Sequence, residues 1–149
     1  MATYNKFNTF VSDVLQQIHD LIGTGGTDCN QLSIYLSNTT PDAANDSVKA
    51  DMAEITNENG YSGPVGLAQS GSASTGTVTV TADSVTITAS GGSIGPFQYV
   101  VLYNSGTAAA SDPLIAWWDY GSSVTLNDGE SFTVKFNGAD TGGQIFTLS

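Results

Sequence analysis

The second half of the chain is a succession of short segments in which apolar and polar residues alternate, and this pattern constrains the fold more than any other feature. Alternation with a period of two places one set of side chains on each face of a β-strand. Residues 97–103 and 114–118 are instead apolar at almost every position, which is typical of strands buried on both faces. We therefore predict a mainly β protein, an antiparallel β-sandwich or barrel-like domain.

Shorter alternating runs predict the remaining strands. They cover residues 31–37, 78–80, 85–87 and 144–148. The strongest local signal is a hairpin over residues 124–136, because Asp128 and Gly129 tolerate the positive φ that a tight turn requires. Pro96 has no N–H group to donate to a neighbouring strand, so we expect it at the entrance of the strand over residues 97–103.

The N-terminal segment follows a helical period. Its apolar residues recur at alternating spacings of three and four, which predicts one amphipathic α-helix through Tyr4, Phe7, Val11, Val14, Ile18 and Leu21. Thr3 is the candidate N-cap, and Gly23 begins a Gly-rich loop that ends the helix. The apolar stripe could cover one face of the sheet. It could instead be a self-association helix, although it spans fewer than three heptads.

The length of the chain predicts a single compact unit, because 149 residues suit one domain. Within it, residues 1–26 form the helix and Gly-rich loop, and residues 27–149 form the β-rich domain. Residues 41–75 are rich in Ala, Asn, Asp, Ser and Gly, so we expect a long irregular excursion there. One hypothesis for this segment is a flexible arm that becomes ordered against a neighbouring molecule.

The charge of the chain limits its partners. Fourteen Asp and Glu residues against three Lys residues give a net charge of −11. Nucleic acid and anionic membranes are not expected as partners, because both are bound through cationic side chains. Charged residues make up only 11% of the chain, so uncharged polar side chains must cover much of the surface. These lose water at a contact more easily than charges do. The composition fits an extended protein–protein interface or a non-enzymatic sugar-binding surface.

Residues that commonly carry catalysis are scarce. The chain has one histidine, His19, one cysteine, Cys29, and no arginine. A catalytic triad would need His19, which lies beside the helical stripe with no nucleophile indicated near it. Cys29 is interpreted as a packing residue. Asp119, beside two tryptophans, is the one candidate acid for a glycosidase, but no partner carboxylate is indicated. We expect neither enzymatic activity nor a cofactor.

Metal sites are not predicted. A zinc site built from His and Cys would need more of these residues than the chain has. The acidic residues Asp42, Asp46, Asp51 and Glu54 lack the spacing of a regular calcium-binding loop, so a solvated acidic loop is preferred. No apolar run approaches the length of a membrane span, and the N-terminus lacks the pattern of a signal peptide. We therefore expect a soluble product made in a cytoplasm.

Four segments together resemble a family of small virion proteins of tailed bacteriophages. They are residues 2–11, 36–41, 94–104 and 112–121. Members of this family are regarded as head decoration, or cement, proteins. The resemblance implies that the protein is made in the host bacterial cytoplasm and resides in the virion. It implies further that the protein binds the outside of the mature capsid, with the major capsid protein as its partner. It also implies a homo-oligomer, for which a trimer is one arrangement.

Six aromatic residues are the candidate interface of such a protein: Trp117, Trp118, Tyr120, Tyr103, Phe7 and Tyr4. Tryptophan and tyrosine frequently anchor protein interfaces. The two tryptophans could instead be core residues that anchor a strand. An alternative function is a tail- or fibre-associated adhesive module that binds host-surface glycans through Trp117, Trp118, Tyr120 and Tyr103.

Overall fold

The computed structural model of the chain describes residues 2–22 and 29–149. In chain order, the elements of these residues are β1 (Tyr4–Lys6), α1 (Thr9–Leu15), β2 (Leu32–Ser37), a 3-10 helix (Lys49–Asp51), β3 (Val65–Gly66), β4 (Gln69–Ser74), β5 (Thr77–Ala82), β6 (Val85–Thr88), β7 (Ile94–Asn104), β8 (Leu114–Leu126), β9 (Ser131–Val134) and β10 (Gly143–Leu148). Every strand pair is antiparallel. The prediction of a mainly β, antiparallel fold with one helix near the N-terminus is confirmed.

The strands form three sheets. The largest has five strands in the order β1-β8-β7-β2-β3, and the smaller two are β10-β5-β4 and β6-β9. Among the described residues these sheets do not close into a barrel. The predicted central strand is confirmed, because β7 lies between β8 and β2. Pro96 lies near the start of β7, where the register with β8 is interrupted between Ile94 and Phe97.

The five-stranded sheet is buried on both faces. On one face Ile34, Val100 and Ala116 belong to the main core, which also contains residues of β5, β6, β9 and β10. On the other face a second cluster consists of Phe7, Tyr35, Met52, Tyr99, Val101, Tyr103 and Leu114, with Trp117 packed against it. Because neighbouring residues of a strand point to opposite faces, burial on both sides explains the continuous apolar runs in the sequence.

The helix prediction is wrong in extent. Instead of a helix through residues 4–21, Tyr4–Lys6 is a strand paired with β8, and α1 is limited to Thr9–Leu15. Asn8, rather than Thr3, occupies the N-cap position. The apolar stripe does not act as one surface, since Phe7 belongs to the second cluster while Val11 is 51% exposed. Pairing with the open edge of β8 satisfies backbone groups that a short isolated helix would leave to water. The predicted end of the helix at Gly23 and the boundary at residues 26–27 lie outside the described residues.

The predicted hairpin is also wrong. The turn exists, since Gly129 has a φ of 85° and the N–H of Glu130 donates to the carbonyl oxygen of Asn127 at 2.9 Å. The two strands that it joins nevertheless do not pair with each other: β8 pairs with β7 and β1, whereas β9 pairs with β6. The chain crosses from one layer to the other, which brings the ring of Phe132 to 5.0 Å from that of Phe97. Burial of apolar side chains between the layers outweighs the local pairing.

The excursion predicted over residues 41–75 is irregular only in part. Its last residues form β3 and β4, which the sequence does not indicate. The six residues of β4 are small or polar, so the strand is held mainly by its backbone pairing with β5. Gly71 lets β4 lie close to the backbone of Leu21, because a Cβ atom at this position would lie 2.6 Å from the Leu21 carbonyl oxygen.

The irregular part of the excursion, residues 41–64, is anchored to the five-stranded sheet. Met52 is buried in the second cluster. Lys49 Nζ lies 2.9 Å from Glu54 Oε2 and 5.0 Å from the centre of the Tyr35 ring. The Tyr61 hydroxyl donates to Glu54 Oε1 at 2.8 Å and accepts the backbone N–H of Leu36 at 3.0 Å. The segment is therefore fixed by the chain itself, and the hypothesis of an arm that orders only against a neighbour is wrong for these residues.

Candidate functional site

The six aromatic residues predicted as an interface lie on two opposite sides of the five-stranded sheet. Phe7, Tyr103 and Trp117 belong to the second cluster or pack against it, beneath the excursion. Tyr4, Trp118 and Tyr120 instead line an open groove on the other side. No single partner surface can contact all six, because the sheet separates them. The groove is the candidate site, because its lining includes the partly exposed Trp118 and Tyr120, which is 58% exposed.

This aromatic groove has a volume of about 620 Å³. Its floor is formed by the large sheet, with Tyr4 from β1, Val100 from β7 and Trp118 from β8. One wall is β9 and the residues after it, and the other wall is the start of β10. Phe132, Val134 and Phe136 contribute apolar surface to the first wall, and Ile145 to the second. The lining is therefore mostly apolar, as expected of a binding groove.

The aromatic rings that line the groove pack against one another. The ring of Trp118 lies 5.7 Å from that of Tyr4 and 5.6 Å from that of Phe136, both in edge-to-face geometry. Tyr120 contacts Phe132 at 5.8 Å in the same geometry, yet 58% of Tyr120 is exposed. Edge-to-face pairs contribute about 0.5–1.5 kcal/mol beyond the burial of their area. The groove therefore presents aromatic surface that is already held in place before any partner binds.

A bulge in β8 places Tyr120 at the mouth of the groove. Between the pairs Phe97–Val124 and Tyr99–Asp119, β8 has four residues where β7 has one. Asp119 holds the start of this bulge, because its Oδ1 accepts the side-chain N–H of Gln98 at 2.9 Å and the backbone N–H of Gly121 at 2.7 Å. In this structure Asp119 therefore shapes the strand that carries Tyr120.

The electrostatic character of the groove differs from that of the whole chain. Lys135 is the one charged side chain among the described residues that line it. Its Nζ lies 2.7 Å from Oδ1 of Asp140, so it is paired with an opposite charge. Burial raises the pKa of Tyr4 to about 12, which keeps its hydroxyl neutral at physiological pH. A chain with a net charge of −11 thus presents a nearly uncharged groove.

The candidate catalytic residues His19 and Cys29 each contact polar side chains in the described part of the chain. The His19 side chain is fully buried, and its Nδ1 accepts the side-chain N–H of Asn104 at 3.0 Å. Nε2 of His19 faces Asp13 Oδ2 at 3.9 Å, and desolvation lowers the pKa of the imidazole to about 4. Cys29 is partly buried, with its Sγ 3.9 Å from Nε2 of Gln69.

The acidic residues of the excursion shape its turns. The side chain of Asn45 and the backbone N–H of Ala44 donate to Asp42, and these bonds lower the pKa of its carboxyl. Backbone N–H groups of Ser47 and Val48 donate to Asp51 and lower its pKa in the same way. No group of three or more His, Cys, Asp or Glu residues that could hold a metal ion occurs within residues 2–22 and 29–149.

Sequence reasoning missed the wall of the groove. Phe132, Val134 and Phe136 are visible in the sequence only as apolar residues at every second position, which identifies a buried strand face. Their role depends on where β9 lies relative to β8 and β10, and no local pattern carries that information. The exposed position of Tyr120 likewise depends on the bulge in β8.

Comparisons of the chain with protein-family models, curated proteins and solved structures gave no match. Within the described residues, no helix has the length and apolar character needed to cross a membrane.

Proposed function

We propose that the protein is a structural virion protein that binds the outside of a mature phage capsid and cements neighbouring subunits of the major capsid protein. The resemblance to phage head decoration proteins provides the biological setting. The observation that carries the proposal is the aromatic groove, in which Trp118 is half-buried and Tyr120 is 58% exposed. Such residues dominate the binding energy of many protein interfaces once a partner removes them from water.

The groove suits a protein contact because its aromatic residues are held in place in the free protein. Preorganised side chains lose little conformational entropy on binding, so more of the contact energy remains as affinity. The nearly uncharged lining also avoids the desolvation of buried charges. A cement protein needs many such contacts, since each copy that binds only the expanded lattice stabilises that lattice by mass action.

We also propose that the protein acts as a homo-oligomer, with a trimer as the state to be tested. A closed oligomer would present several copies of the groove to adjacent capsid subunits, and simultaneous contacts raise the overall affinity without any new type of contact. The outer surface of each copy is acidic and therefore favours a partner surface with basic residues around the contact.

The proposal is tested by titrating the purified protein onto expanded, undecorated capsids of the phage that encodes it. Saturable binding and a raised melting temperature of the capsid are expected. Tyr120→Ser should weaken binding at least tenfold. Leu15→Ser is the matched control, because Leu15 is an exposed apolar residue outside the groove. Absence of binding to expanded capsids, or equal loss in both variants, would contradict the proposal.

The second candidate is an adhesive module of the tail or fibre that binds host-surface glycans. The groove favours it through Trp118 and Tyr120, whose faces could stack on a sugar ring, and through the amide side chains of Asn137 and Gln144 at the same groove. Trp117 and Tyr103 would not contribute, since they pack on the opposite side of the sheet. Binding to a glycan array that is lost in Tyr120→Ser, without affinity for capsids, would favour this candidate.

A further inference from the structure

The layer that covers the main core is divided in two. One part is the sheet β10-β5-β4, and the other is the two-stranded ribbon β6-β9. Both contribute side chains to the same core, for example Val80 from β5 and Val134 from β9. The strands β9 and β10 face each other across the aromatic groove, which is lined by Thr133 on one side and Gln144 on the other. The groove is thus a gap between two parts of one layer.

Both strands that border the gap have an unpaired edge. β9 pairs with β6 on one side, and β10 pairs with β5 on one side. Among the described residues, no strand pairs with the other edge of either one. An edge strand presents N–H and C=O groups that can bind an additional strand.

The two edges converge at one end of the groove. Gly143, the first residue of β10, lies so close to Phe136 that any side chain there would overlap the Phe136 carbonyl oxygen. Beside this contact, Thr133 and Val134 of β9 and Gln144 and Ile145 of β10 line the groove together with side chains of the large sheet. The gap is therefore closed where Phe136 and Gly143 meet, and next to that point it is lined by residues of both strands and by apolar side chains of the large sheet.

The charges at the groove distinguish between occupants. None of the described carboxylates lines it, and Lys135 is already paired with Asp140. The strand that fits is therefore uncharged where it lies in the groove. A second copy of this chain is disfavoured as its source, because a copy seated in the groove would cover the surface that the proposed oligomer presents to the capsid. A different protein with basic residues beside the inserted strand would be attracted to this chain, whose net charge is −11.

We infer that the aromatic groove binds one extended, uncharged segment of the partner protein as an added β-strand, paired with the free edge of β9, β10 or both. Alternate apolar side chains of the segment would contact Trp118 and Val100, and the side chains between them would face solvent. The inference rests on the proposed function for the identity of that partner, the major capsid protein. It adds that backbone hydrogen bonds form part of the contact.

Hydrogen exchange of the wild-type protein on expanded, undecorated capsids tests this inference. The amides of β9 and β10 that donate no hydrogen bond in the free protein should exchange at least tenfold more slowly after binding. The matched internal control is β4, whose outer edge also pairs with no strand of the described residues but which does not border the groove. Its amides should keep their rates.

The possible outcomes separate the two claims. Slower exchange in β9 or β10, with β4 unchanged, supports the added strand. Binding to capsids with unchanged exchange in both β9 and β10 overturns the added strand and leaves the capsid-binding function intact. Absence of binding overturns both claims, because the partner assigned here is the capsid protein.

Discussion

Trp117 and Trp118 are consecutive in β8, yet their side chains lie on opposite faces of the five-stranded sheet. The ring of Trp117 is 4.6 Å from that of Phe7 in the second cluster, whereas the ring of Trp118 is 5.7 Å from that of Tyr4 in the aromatic groove. The two tryptophans therefore have different roles. Trp117 contributes to the packing of the N-terminal segment, and Trp118 forms the floor of the proposed binding surface.

The groove and the second cluster should respond differently to mutation. Tyr120→Ser removes a side chain that is 58% exposed, so we expect the free energy of unfolding to fall by less than about 1 kcal/mol. Binding to expanded capsids should weaken at least tenfold. Urea denaturation and capsid titration measure the two quantities. A large loss of stability would show that Tyr120 is mainly a packing residue.

Phe7 should be essential for stability. It is fully buried between β8 and the excursion, and its backbone N–H donates to the carbonyl oxygen of Ile115 at 3.1 Å. Phe7→Ala leaves a cavity, and we expect it to lower the free energy of unfolding by about 3–4 kcal/mol. Phe7→Leu retains most of the volume and should lose less. Equal effects of the two variants in urea denaturation would contradict the proposed packing role.

The buried hydrogen bond of the Tyr61 hydroxyl should contribute more to the free energy of unfolding than the exposed ion pair of Lys135 and Asp140 at the groove. Tyr61→Phe leaves the Leu36 N–H without the hydroxyl that accepts it, so the free energy of unfolding should fall by about 1–2 kcal/mol. Lys135→Met removes a pair in which Asp140 is 74% exposed, and a change below about 0.5 kcal/mol is expected. Thermal and urea denaturation of both variants check this order. A larger loss of unfolding free energy in Lys135→Met than in Tyr61→Phe would contradict this order.

Gly143 should not tolerate a side chain. A Cβ atom there would overlap the carbonyl oxygen of Phe136, which is backbone and cannot move away by itself. Gly143→Ala should therefore lower the free energy of unfolding by about 1–3 kcal/mol. Gly66→Ala is the matched control, because its nearest neighbour is the Gln31 side chain at 3.6 Å. Similar stability of the two variants would mean that β9 and β10 are not in contact at this end.

Stability should depend on pH through His19, the one histidine of the chain. Desolvation lowers its pKa from 6.5 to about 4 in the folded protein. The unfolded chain therefore takes up a proton first, and the contribution of His19 to stability is lost as the pH falls from about 6.5 to about 4. Asp13, which faces the imidazole, has a pKa raised by desolvation, so its protonation acts in the opposite direction.

Two measurements check the His19 prediction. In a proton NMR titration of the folded protein, the signals of the one imidazole should have their midpoint near 4. In His19→Gln, the decrease of unfolding free energy over this pH window should become smaller, and Asp13→Asn isolates the contribution of the facing carboxyl. A folded-state midpoint near the ordinary value of 6.5 would contradict the burial of His19.

The local patterns of the sequence determined the central position of β7 and the presence of β2, β5, β6, β8, β9 and β10, but not β1, β3 or β4. An uninterrupted apolar run can be satisfied only by burial on both sides, and residues 97–103 lie in the middle of the large sheet. The turn at Gly129 was predictable for the same local reason, because its positive φ favours glycine. These features depend on neighbouring residues alone.

The tertiary structure decided which strands pair and which aromatic residues share a surface. Tyr4–Lys6 is a strand because β8 offers it an edge, and β9 pairs with β6 because burial of Phe132 and Val134 requires the other layer. Backbone hydrogen bonds are the same whichever strand is the partner, so the sequence of a short segment does not specify the strand with which it pairs. The groove is a gap between β9 and β10, two strands that the packing of the chain brings together. The periodicity of the sequence carries no information about that packing, so it could not predict the groove.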